Sequence, residues 1–166
     1  MPDMQNYQPL MSEILEKVSK LKTKKEKVAH LQHHNTPALR MILKASFDPK
    51  IVWDLPDGGV PFKPNDAPEG TEHTMLISEA RKLFHFIKGG NNQINRMKRE
   101  SMFVQMLEGL NENEAHLLIA AKDKSLHQMY KGLSDNVVKE AFDWDENYMQ
   151  IEHETYLATP GSASGV

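Results

Sequence analysis

Cysteine is absent from the 166 residues. That excludes a disulfide framework, thiolate zinc or iron–sulfur centres, and a cysteine nucleophile. Long apolar runs are missing as well. None approaches the roughly 20 residues a membrane helix needs, so no membrane partner is expected. The start, Met1 to Asn6, is polar and lacks the basic and apolar regions of a signal peptide. The expected compartment is therefore the cytoplasm, the host's if the chain is phage-encoded. A strong charge of one sign is also lacking. The net charge is -3, made of a tail over residues 143–166 at -5 and a body over 1–142 at +2. A body this close to neutral does not hold nucleic acid by bulk charge alone. Motifs of covalent or metal chemistry are missing too: no G-x-x-x-x-G-K-[ST], G-x-S-x-G, H-E-x-x-H or EF-hand loop occurs. The sequence therefore predicts no catalytic residue, no cofactor and no enzyme.

What the chain does have is helical period. Leu10, Met11, Ile14, Leu15, Val18 and Leu21 line one helix face, with Pro9 suited to its first turn. Thr23-Lys24-Lys25-Glu26 reads as a capping box opening a second helix with Val28 and Leu31 inside. Asn35-Thr36-Pro37 starts a third, bearing Leu39, Ile42, Leu43 and Phe47 and stopped by Asp48-Pro49. Residues 54–73 hold seven Pro or Gly and predict a long loop.

Downstream, Ala80, Leu83, Phe84 and Ile87 form a stripe that ends at Gly89-Gly90. Asn91 or Asn92 caps the next helix, carrying Ile94, Met97, Val104 and Leu107. Asn111-x-x-Glu114 opens an apolar helix with Leu117, Leu118 and Ile119, expected at the centre of the bundle. A short helix from Ser125 to Lys131 ends at Gly132, and Ser134 caps the last. Strand signals are confined to Lys50–Asp54 and Gly59–Phe62. The expected fold is all-α, a bundle of seven or eight helices. Residues 1–9 form a lead and 10–142 the domain. Residues 143–166 form an acidic, aromatic tail, flexible from about 160.

His30, His33 and His34 share i, i+3, i+4 spacing, which suits either a metal needing a third ligand from Asp48 or His73, or a polar helix end. The helix-end reading is preferred, and no metal site is expected. The ten Met residues are read mainly as gap fillers in the core.

Two basic stretches stand out. Residues 17–27 hold six Lys against one Glu, and residues 81–99 hold six Lys or Arg and no acid. Their bland reading is a solvated face. The second brackets Gly89-Gly90-Asn91-Asn92, where helix amides and cations would meet a phosphate. Lys131-Gly132-Leu133-Ser134 is a third such place. Separate clusters of amides and cations suit the repeating charge of a phosphodiester backbone.

At these residues the order of elements resembles a known family. Ile14–Val18 with Thr23–Lys27, then Leu39–Ala45 leading to Trp53-Asp54-Leu55-Pro56, then the helices over 77–87, 91–107 and 117–121, and last Gly132-Leu133-Ser134, are similar to the N-terminal DNA-binding domain of ATP-dependent DNA ligases of phage type. Small proteins of tailed cyanophages resemble the same order. The similarity covers about residues 10–142. The adenylated lysine of the ligase Lys-x-Asp-Gly motif is missing, since Leu55 stands in its place before Pro56-Asp57-Gly58. The resemblance implies a module that holds duplex DNA without sealing it. Carried over, the DNA-binding candidates are Lys22, Lys24 and Lys25; Gly89, Asn91 and Asn92; and Gly132 and Ser134. The basic stretches add Lys88, Arg96, Arg99 and Lys131.

The tail offers Trp144, Tyr148 and Tyr156 as partner-binding residues of a docking peptide. Alternatively, Trp144 and Tyr148 pack back on the bundle. Gln150 to Leu157 shares part of the spacing of clamp-binding peptides, with His153 in place of the aliphatic residue and Leu157 in place of the second aromatic. Two functions are therefore expected. One is a non-catalytic DNA-binding accessory protein without sequence preference. The other is a protein-interaction or virion-associated phage module without DNA binding, acting through the helical surface or the tail. Collection of the basic residues of 17–27, 81–99 and 131 on one face favours the first, and scattering favours the second.

Overall fold

The computed structural model of the chain describes residues 9–65 and 74–150. Helices α1 (Met11–Lys20), α2 (Lys24–His33) and α3 (Pro37–Phe47) open it. After the loop come α4 (Leu76–Glu79), a 3₁₀ segment (Ala80–Phe86), α5 (Arg96–Gly109), α6 (Glu112–Lys122), α7 (Leu126–Met129) and α8 (Asp135–Phe142). The architecture is all-α, as the periodicity predicts. Among the described residues extended pairing is limited to two isolated antiparallel bridges, Trp53 with Ile87 and Trp144 with Gln150. Of the expected extended pieces, Lys50–Asp54 keeps one bridge and Gly59–Phe62 forms no element.

Local chemistry sets the helix starts. Thr23 Oγ1 accepts the Glu26 amide at 3.1 Å, and Glu26 Oε1 accepts the Thr23 amide at 3.2 Å. Thr36 accepts the Leu39 amide ahead of Pro37, and Ser134 accepts that of Val137. Pro9 lies one residue before the N-cap Leu10, outside the first turn. Helix α6 packs against α1, α3, α5 and α7. It buries Leu117, Leu118 and Ala121 completely, while Ile119 is only half-buried. Among the methionines, Met11 and Met106 are buried, but Met41 and Met97 face solvent.

Three expectations need correction. The stripe of Ala80, Leu83, Phe84 and Ile87 is not α-helical. Ala80, Leu83 and Phe86 are buried three residues apart, the repeat of a 3₁₀ turn, and Phe84 is 48% exposed. Ile87 is extended, so Gly89-Gly90 makes a turn rather than a helix cap. Second, neither Asn91 nor Asn92 caps α5. Asn95 does, accepting the Lys98 amide at 2.8 Å. Third, Glu114 does not reach back to Asn111, whose side chain accepts the Asn113 amide instead. The buried Glu114 carboxylate accepts the amides of Met11 and Leu76.

Long polar side chains tie down the rest. Lys122, with a fully buried side chain, donates to the carbonyls of Pro56 and Gly58 and to Asp123. It thereby fixes the described part of the Pro/Gly-rich loop against α6. Trp53 Nε1 donates to the Ala45 carbonyl at 2.9 Å. Residues 66–73 of the expected loop lie outside the described residues.

Candidate nucleic-acid interface

Cationic side chains that a phosphate backbone could meet fall into two groups. The first is built where α1 turns into α2 and where α7 turns into α8. Helix α2 packs on both α1 and α8. Lys27 donates to the Leu21 carbonyl at 2.8 Å, which folds its stem over Gly132. Gly132 has φ +88°, and a Cβ there would lie 2.5 Å from Lys27 Cε. This glycine therefore serves both a left-handed backbone and a close approach. At the other end of α8, Lys24 pairs with Glu140 at 3.0 Å. Lys22, Lys24, Lys25 and Lys131 are all exposed around this junction.

Some of the backbone amides at these helix starts are already used. Glu26 takes those of Lys22 and Thr23, and Ser134 takes that of Val137. The Glu26 carboxyl is held below its usual range by the Thr23 amide and hydroxyl and the Lys22 amide. Ser134 stands at the start of α8, as expected, whereas Asn91 and Asn92 lie before the Asn95 cap of α5 and not at a helix start. Acids also share the surface: Lys20 pairs with Glu16 at 3.5 Å.

The second group surrounds the Ile87–Asn95 turn, and most of it serves the fold. Arg99 is 7% exposed. Its guanidinium donates to the carbonyls of His85, Asn91 and Ile94 and lies 3.3 Å from Asp54. It clamps the turn to the 3₁₀ segment and to Asp54. Arg96 donates to Glu100 at 2.8 Å, which raises its pKa. Asn91 binds His85 Nδ1 and accepts the Gln93 amide. Gly89 and Asn92 are exposed. Lys88 and Arg96 do line one cleft of about 300 Å³, but Asp54 and Glu100 line it with them. The absence of acid in 81–99 is a property of the sequence, and the fold supplies the acids from elsewhere. The main contacts of the 3₁₀ segment run to α3, α4 and α5, whereas those of α2 run to α1 and α8. The two basic stretches thus lie on different parts of the bundle. Lys131 joins the first.

Trp144 and Tyr148 are buried, at 8% and 4% exposure. Trp144 packs 5.1 Å from Phe142, and Lys139 sits 4.9 Å over the Tyr148 ring while pairing with Glu146. They belong to the core, which corrects their assignment as partner-binding residues and carries the packed body past 142. Tyr156 and the remainder of the clamp-like stretch lie outside the described residues. Among the described residues no group of three or more His, Asp or Glu is arranged to hold a metal, and no helix is long and apolar enough to cross a membrane.

No curated protein and no solved structure matches the chain. A family model matches residues 14–128, from the middle of α1 to α7, and on that match the chain belongs to the family of unknown function DUF6433.

Proposed function

We propose that this protein is a non-catalytic accessory module that holds duplex DNA by its backbone through the α1–α2 and α7–α8 turns. The observation that carries the proposal is the junction itself. Sequence places Lys22, Lys24 and Lys25 more than 100 positions from Lys131, yet Lys27 sits over Gly132, the neighbour of Lys131, and all four other lysines are exposed. Several exposed lysines around one junction suit the regular charge of a phosphodiester, and their contacts carry no sequence preference. The resemblance to the ligase DNA-binding domain supports the same reading.

Two observations favour the alternative of a protein-interaction or virion-associated module: the basic residues of 17–27 and 81–99 do not collect on one face, and acids sit among the lysines. Acids are interleaved with the lysines at this junction, as Lys24–Glu140 and Lys20–Glu16 show, and a mixed-charge face suits a protein partner.

Binding of a labelled duplex, measured by fluorescence anisotropy over a range of salt, separates the two. The DNA reading expects affinity that falls steeply with salt. Replacing Lys22, Lys25 and Lys131 by Glu should weaken it and flatten the slope by about one for each phosphate no longer neutralised. A wild-type protein with no salt-sensitive binding at low ionic strength overturns this reading in favour of the alternative.

A further inference from the structure

The end of α2 and its C-cap carry three imidazoles, with His34 in contact with both His30 and His33. The His30 and His34 ring centroids are 4.7 Å apart, and those of His33 and His34 are 4.8 Å apart, each pair edge to face. No carboxylate pairs with any of the three among the described ion pairs; the one histidine pair there is His116 with Glu112. We propose that His30, His33 and His34, with Lys17 of α1, form a second anion-binding patch that engages a phosphodiester backbone by taking up protons. This rests on the DNA reading above and extends it along α2.

Position supports the assignment. A ten-residue helix is about 15 Å long. A strand tracking it presents about one charge per 3.4 Å, so it reaches both the lysine-rich start and the histidine end. The charged groups of the neighbouring elements include Glu13 and Glu16 on α1, neither of which pairs with a histidine among the described ion pairs. From α1, the Lys17 charge acts on His30. From α3, Arg40 is held by the Asn35 side chain. From α8, the ion pair to α2 is Glu140 with Lys24, at the opposite end. On its inner side His34 lines a cavity of about 60 Å³ walled by Met11, Ile14, Leu39 and Ile77, which offers no counter-charge.

Charge on the His30 and His34 rings is therefore disfavoured in the free protein. Burial and the neighbouring imidazoles keep His30 and His34 below the ordinary histidine range, with Lys17 adding to the effect on His30. A phosphate supplies the missing counter-ion, and the negative pole of α2 favours the imidazolium as well. Each protonated ring then gains a second N–H donor. Proton and anion binding strengthen each other by the same factor, as linkage requires.

The test is calorimetric titration of the full chain with a duplex at pH 7.5 and 6.0, at constant ionic strength, in two buffers of different ionisation enthalpy. The expected result is about tenfold tighter binding at pH 6.0 with net proton uptake. A triple substitution, His30→Gln, His33→Gln and His34→Gln, should abolish the pH response. Equal affinity at both pH values without proton uptake overturns the patch and leaves the lysine junction standing. A pH response that survives the triple substitution overturns it too. Absence of binding at either pH overturns both proposals. The wild-type proton count stands whether or not the variant folds.

Discussion

Glu114 accepts the backbone amide of Met11 at 2.8 Å across 103 positions of sequence. Its other oxygen accepts the Leu76 amide at 2.9 Å. Met11 and Leu76 are the first residues of α1 and α4, and Glu114 is the third of α6. One buried carboxylate thus sits among the starts of three helices, where amides lack intrahelical partners and the dipoles are positive. Glu114→Gln keeps the shape but removes the charge and turns a donor toward one amide. The expected cost is about 2–3 kcal/mol in urea melts, with faster amide exchange at Met11 and Leu76. A neutral Glu114→Gln would mean that this carboxylate does not join the helices.

Leu118 is fully buried in α6, which touches four other helices. Leu118→Ala should cost about 2–5 kcal/mol by the same measurement. An unchanged midpoint would place the core elsewhere.

Arg99 and the lysine junction should separate stability from binding. Arg99→Lys keeps the charge but loses the fork that spans three carbonyls. It should lower stability by about 2 kcal/mol and leave the salt slope of duplex binding unchanged. Lys88→Glu with Arg96→Glu should also change binding little, because Asp54 and Glu100 already share their cleft. Loss of binding from either change would return the Ile87–Asn95 turn to the interface.

Acid should weaken the fold through α2. The ordinary histidine value is 6.5, and burial holds His30 and His34 below it in the folded state. Between the lowered and ordinary values the unfolded chain binds more protons. The contribution to stability is therefore complete above about pH 6.5 and is lost as the pH falls through the lowered folded values. Thermal melts of the ligand-free protein at pH 7.5, 6.5 and 5.5 should show this fall, and His34→Gln should reduce it. A midpoint flat across that range would contradict the burial of these rings.

Gly89 and Gly90 make a stereochemical contrast. Gly89 has φ +86° in open space, so Gly89→Ala meets backbone strain alone, about 1 kcal/mol. Gly90 has no such φ, but an added Cβ would overlap the Phe84 carbonyl oxygen, which is backbone and cannot swing aside. Gly90→Ala should be the more destabilising of the two, measured side by side in urea.

These residues also show where sequence reading succeeds. Thr23 with Glu26, Thr36 with Pro37, and Ser134 act within four residues, so their signals lie side by side in the chain. Leu117 and Leu118 declare themselves by the apolar run they belong to. Glu114 and Arg99 find partners on other elements or beyond a turn, and their types alone suggest a helix cap and a surface cation. The 3₁₀ segment fails for a different reason. Three residues per turn advance 120° each, against 100° in an α-helix. Over a few residues that difference decides whether Phe84 or Phe86 faces inward, and the spacing of apolar residues fits both. For the candidate site, the lysine run is legible, but its meeting with Lys131 depends on a glycine more than 100 positions away.

The six lysines between residues 17 and 27 look interchangeable in the sequence, and the Lys27–Gly132 contact makes them chemically unequal. Lys22, Lys24 and Lys25 present solvent-exposed ammonium groups to any acylating reagent. The Lys27 nitrogen is committed to the Leu21 carbonyl with its stem across the glycine. It should therefore be the slowest of the four to acylate, and an acyl group forced onto it would lever the two turns apart. A mass-spectrometric ranking of labelling rates along this run would thus read out the joint between the first helix pair and the last helix, residue by residue.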